Sequence, residues 1–152
     1  MRIPTGIESW ENMGITLGTV GLVTGARLAL MSAWPDFRVA TNRSNKQILS
    51  PLGWFDIFLV AVLSGASEEL LFRGAIIPAT FLDWRGAVVS GLVFGLLHNS
   101  GGRNLAFAAW ASAVGVVYGG LFIYTQNIWV PVSAHALSNF CSAAVWKSKQ
   151  DS

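Results

Sequence analysis

Charge is what this sequence has least of. Ten Lys/Arg and eight Asp/Glu make up only 12% of its 152 residues, where a soluble domain carries ~25%. So few charges cannot solvate an ordinary globule. Cysteine is reduced to Cys141, so no intramolecular disulfide can form and a disulfide scaffold is excluded. The basic residues are scattered singly with a net charge of +2, which makes nucleic acid a poor partner. No heptad persists and the 16 glycines have no period, which removes coiled coil and collagen. The opening stretch, MRIPTGIESWENMG, has neither the charged n-region and short apolar core of a signal peptide nor the Arg/Ser bias of a transit peptide.

What is abundant is apolar surface. Hydrophobic residues reach 53% and mean hydropathy is +0.51, in a chain long enough for one domain. These values predict an integral, multi-pass membrane protein: an all-α, polytopic transmembrane helical bundle solvated by lipid. About five segments, at 12–34, 55–81, 86–99, 104–126 and 128–146, approach the ~20 residues needed to cross a hydrocarbon core. The third is short for a full crossing. Trp10, Trp34, Trp54, Trp84, Trp129 and Trp146 sit at segment ends, where an amphipathic ring marks the headgroup level. Only Trp110 falls inside a span.

Five crossings would place Arg38, Arg43, Lys46, Arg103, Lys147 and Lys149 on one face and Arg2 and Arg85 on the other. The positive-inside bias then predicts an N-terminus outside and a C-terminus inside. The polar stretch DFRVATNRSNKQILSP at 36–51 reads as a loop. It divides the chain into an N-terminal membrane helix and polar loop (1–51), a helical core (52–146) and a basic tail (147–152). Small residues in 86–95 and 106–120 suit close helix contacts in lipid.

Setting aside Asp56, close enough to a segment end to reach the headgroups, six charged or imidazole side chains fall inside the apolar segments: Arg27, Glu68, Glu69, Arg73, His98 and His135. A charge at membrane depth costs at least ~2.5–3.5 kcal/mol, so such residues face the bundle interior and have a task. In Glu68-Glu69-Leu70-Leu71-Phe72-Arg73, Glu69 and Arg73 stand four apart with the acid first, the favourable order for a helical ion pair. Glu68 is left without that partner, as a general base would be. In Phe94-Gly95-Leu96-Leu97-His98 an aromatic ring precedes a histidine by one turn. In His135-Ala136-Leu137-Ser138-Asn139 an imidazole and a carboxamide share a helical face, where both could donate to a developing oxyanion. Each pattern alone also reads as structural, as a salt bridge, a packed histidine or interhelical glue. Arg27 fits none of them, and either snorkels, pairs with a distant acid or shows the first helix to be misplaced.

With EELLFR at 68–73, FGLLH at 94–98 and HALSN at 135–139, the chain resembles the intramembrane proteases related to the type II prenyl (CAAX) endopeptidase. These are the CPBP or Abi family, whose motifs are EExxxR, FxxxH and HxxxN. All three are intact and in order, over about residues 64–146. The resemblance implies that Glu68 activates water with help from His98, and that His135 and Asn139 hold the oxyanion. Glu69, Arg73 and Phe94 would organise the site, and the substrate would be a peptide or membrane protein. The stretch 101–120 and the basic tail look most like plant and cyanobacterial members, which implies a chloroplast thylakoid or envelope membrane. The segment before residue 52 supplies one helix where larger relatives have several, so a wall of the bundle would be missing.

Three competing readings use the same residues. No HExxH is present, but His98, His135 and Glu68 could hold a zinc ion with an open fourth position. A non-catalytic membrane scaffold or regulator in a plastid, for example of pigment metabolism, would use the histidines as ligands and have no need of Glu68. A small channel would use the buried charges as a conduction path.

Overall fold

The computed structural model describes residues 6, 7 and 9–150. Among them there are helices and no strands: α1 (Trp10–Ala33), α2 (Pro35–Leu49), α3 (Trp54–Leu71), a π-helical turn (Phe72–Ile76), α4 (Ile77–Thr80), α5 (Trp84–Leu97), α6 (Leu105–Thr125) and α7 (Trp129–Ser148). Each of the five apolar segments is helical, with ends within a few residues of those expected. The helical membrane bundle is therefore the fold. Among the described residues, by length and hydropathy, only α1 and α6 are single helices able to cross a membrane. A third crossing results if α2 with α3 to α4, bent by 115°, is one broken span. Among the described residues this is fewer than the five crossings expected, because α5 is short and apolar and α7 carries the polar face of the site.

Residues 36–51 are not a loop. Through Leu49 they form α2, started by Pro35 in the first turn, where a missing N–H costs nothing. Phe37, Ala40, Thr41, Ser44 and Leu49 are its buried positions, the first four at helical spacing. Thr41 and Ser44 broke the apolar pattern that hydropathy reads. Phe37 stacks on Phe107 at 6.0 Å and meets Trp110 edge-on at 5.8 Å, which also explains why Trp110 lies inside a span. Residues 10–49 are thus built into the bundle: α1 packs on α7 and α2 on α6.

Packing otherwise follows α5 on α6 and α3 on α7. A Cβ on Gly115 would lie 2.9 Å from Gly91 Cα, so α5 and α6 touch backbone to backbone, the close approach that small residues permit in lipid. Leu17, Leu22, Leu63, Leu92, Leu96 and Leu105 point outward and are more than half exposed, as lipid-facing side chains are. Arg103 Nε donates to Ser44 Oγ at 3.2 Å and Asn104 Nδ2 to the Asp36 carbonyl at 2.9 Å. The 98–104 loop therefore lies against α2, at the end of the bundle that also holds Lys46 and Lys149.

Candidate active site

The site begins with a break in helical geometry. Pro78 has no N–H for the Gly74 carbonyl and its ring would clash there. The preceding turn widens, so that Ile77 N–H bonds the Phe72 carbonyl, five residues back. Such π turns recur at functional sites. This one carries Arg73, whose side chain is completely buried.

Arg73 Nη1 donates to Glu69 Oε1 at 3.0 Å, with both side chains 0% exposed. Its Nη2 donates to the Gly115 carbonyl. The guanidinium carbon lies 5.4 Å from the Phe94 ring centroid and 5.7 Å from those of Phe72 and Tyr118, within cation–π range. Two buried charges are costly unless paired and bonded; here the partners are a carboxylate, a carbonyl and three rings.

Glu69 Oε1 also receives His135 Nδ1–H at 2.7 Å. A carboxylate accepts, so the proton sits on Nδ1. Tyr118 stacks on the same imidazole at 4.7 Å and 24°. His98 is fixed similarly: its Nδ1 donates to the Phe94 carbonyl at 2.7 Å and its ring lies 4.2 Å from that of Phe94. Both histidines therefore turn Nε2 toward Glu68, at 4.0 Å for His98 and 3.6 Å for His135. With Nδ1 protonated, each neutral imidazole offers a lone pair at Nε2. Glu68 and the two rings are thus three acceptors facing one another.

Glu68, His98, His135 and Asn139 line one cavity of about 350 Å³. The Asn139 carboxamide is half-buried and has no hydrogen-bond partner among the described residues. Glu69 and Arg73 stand behind the cavity wall and Phe94 forms part of it. Three acceptors suit the two O–H groups of a water molecule, or a cation. Among the described residues, no group of three His, Cys, Asp or Glu side chains is placed to hold a metal ion.

Several lining residues escaped the sequence reading. Arg27 and Val23 enter from α1, Ser44 and Asn45 from α2, and Arg103 from the loop before α6. Arg27 finds no acid: none of the ion pairs among the described residues includes it. Tyr118 could have been noticed as a lone polar aromatic in an apolar span. Outside the membrane segments, burial lowers the Arg103 guanidinium from its ordinary range, partly offset by Glu68.

Residues 50–141 match the family described as Type II CAAX prenyl endopeptidase Rce1-like. A Bacillus subtilis (strain 168) protein named "Putative membrane peptidase YdiL" is 29% identical over 87 residues, 55% of this chain and 34% of its own length. A second from the same organism, "Uncharacterized protein YpbD", is 25% identical over 122 residues, 80% of this chain and 61% of its own. The chain thus spans about a third and about three-fifths of these relatives. No solved structure matches it.

Proposed function

We propose, from the premise that this chain belongs to the Type II CAAX prenyl endopeptidase Rce1-like family, that it is an intramembrane endopeptidase using Glu68 to activate water. The observation that carries this reading is Glu68 facing the Nε2 atoms of His98 and His135, at 4.0 and 3.6 Å, in one cavity of the bundle. A water donating to this trio keeps a lone pair for the substrate carbonyl. As its oxygen bonds the carbonyl carbon, its proton passes to Glu68 and the carbonyl π pair moves onto oxygen. Asn139 Nδ2 donates to that oxyanion. His135 Nε2 can donate only after it has itself been protonated, because its other proton is committed to Glu69. The C–N bond then breaks and the proton held by Glu68 or His98 goes to the leaving amine.

The substrate class is a peptide or membrane-protein segment entering from lipid. A plastid membrane, thylakoid or envelope, is proposed on the sequence likeness at 101–120 and in the basic tail. The test is rescue of cells lacking the endogenous protein by wild type and Glu68→Gln at matched membrane abundance, with small membrane proteins followed by mass spectrometry. Proteolysis predicts loss of rescue and accumulation of an uncleaved protein. Full rescue by Glu68→Gln would overturn it in favour of a scaffold.

A further inference from the structure

A second cavity, about 740 Å³, opens between α1, α2 and α7. Four cations line it: Arg27 from α1, Arg38 and Lys46 from α2, and Lys149 just beyond α7. No Asp or Glu lines it among the described residues, and none of the four takes part in an ion pair there. Arg38 spends one nitrogen on the Met31 carbonyl at 3.2 Å. Helix dipoles account for only part of the set. Lys46 and Lys149 are at helix C-termini, where cations are favoured. Arg27 lies six residues before the end of α1, beyond the reach of that effect, and Arg38 is in the first turn of α2, where the dipole opposes it.

The rest of the wall is amphipathic. Asn42 and Ser142 offer neutral donors, while Leu28, Met31 and Trp146 form an apolar side. Tryptophan marks the headgroup level, and the cavity lies at the end of the bundle that collects basic residues. Arg38, Lys46 and Lys149 are exposed and Arg27 is half-buried, so the cavity gathers unneutralised positive charge that attracts an anion, and its apolar side fits an alkyl chain. A phospholipid phosphodiester supplies both, as basic pockets between membrane helices commonly require. We infer that this cavity binds the phosphate headgroup of an anionic phospholipid, with its acyl chains along Leu28 and Met31. Arg27, Asn45 and Ser142 line both cavities, so the bound headgroup adjoins the candidate active site. The inference does not depend on proteolysis.

The test uses the full chain in neutral detergent, offered equal amounts of phosphatidylglycerol and phosphatidylcholine, with retained lipid read by native mass spectrometry. Wild type should retain phosphatidylglycerol preferentially. In Lys46→Gln/Lys149→Gln, both exposed positions, retention should fall about five-fold per cation removed. Lys46→Arg/Lys149→Arg should keep it, and so should Arg85→Gln at the far end of α5. Equal retention of the two lipids, or unchanged retention in the Gln pair, would overturn the site. Inorganic phosphate raising the Tm as much as phosphatidylglycerol would replace the lipid by a free anion and overturn the assignment.

Discussion

His135 is oriented by Glu69, whose Oε1 lies 2.7 Å from its Nδ1. That oxygen also takes Arg73 Nη1 at 3.0 Å, so one carboxylate sets the histidine tautomer and neutralises a buried guanidinium. The ion pair expected from spacing alone therefore reaches a residue on another helix, 66 positions away.

Removing one member should expose this coupling. Arg73→Ala strands the Glu69 carboxylate in the interior and should cost about 3–5 kcal/mol. Glu69→Leu/Arg73→Met removes both charges and should recover most of that stability without restoring activity, since His135 loses its partner. Thermal unfolding in detergent, beside a cleavage assay, checks both halves. Normal stability of Arg73→Ala would contradict the pair's role.

Asn139→Ala should leave folding intact, because the carboxamide has no hydrogen-bond partner among the described residues to lose. Turnover should drop about 10²-fold if the amide donates to the oxyanion. The decisive measurement is kcat against KM: the loss belongs in kcat.

Gly65 holds α3 against α7. A Cβ there would lie 2.9 Å from Ala136 N and 3.0 Å from its Cα, one residue beyond His135. Gly65→Ala should separate the helices, cost about 1–3 kcal/mol and weaken the Glu69–His135 bond. Gly18→Ala meets nothing within 4 Å and should be neutral or stabilising by about 0.5–1 kcal/mol. Unfolding temperatures of the two variants should move in opposite directions, or the first alone should fall.

At the start of α5, Asp83 Oδ1 accepts Arg85 N–H at 2.9 Å and Oδ2 accepts Arg85 Nη2 at 2.8 Å. These bonds hold the Asp83 carboxyl below the ordinary carboxylate range. A depressed folded-state pKa stabilises above the unfolded value and loses that contribution as pH falls through the folded one. Exchange of the Arg85 amide should therefore show less protection at acid pH than at neutral pH, and Asp83→Asn should flatten that dependence.

The sequence by itself determined the class of this molecule. Too little charge and enough apolar length leave a chain no solvent but lipid, and tryptophan at the ends of five segments marks helices that the structure indeed contains. Local spacing also made the Glu69–Arg73 pair legible, because four residues along a helix is a short-range fact. What only the tertiary structure decided depends on contacts between distant segments. The α2 helix was hidden because its buried face is partly Thr41 and Ser44, which are buried by neighbours on other helices and not by their own polarity. The His135 tautomer depends on an acceptor placed by α3, and His98, held locally by the Phe94 carbonyl, meets Glu68 only across the bundle, so no motif announces that both Nε2 atoms face Glu68. Arg27 had no evident task within its own helix; only the meeting of α1, α2 and α7 sets it between two cavities. A sequence records which groups cannot tolerate lipid, and packing alone decides what each of them faces instead.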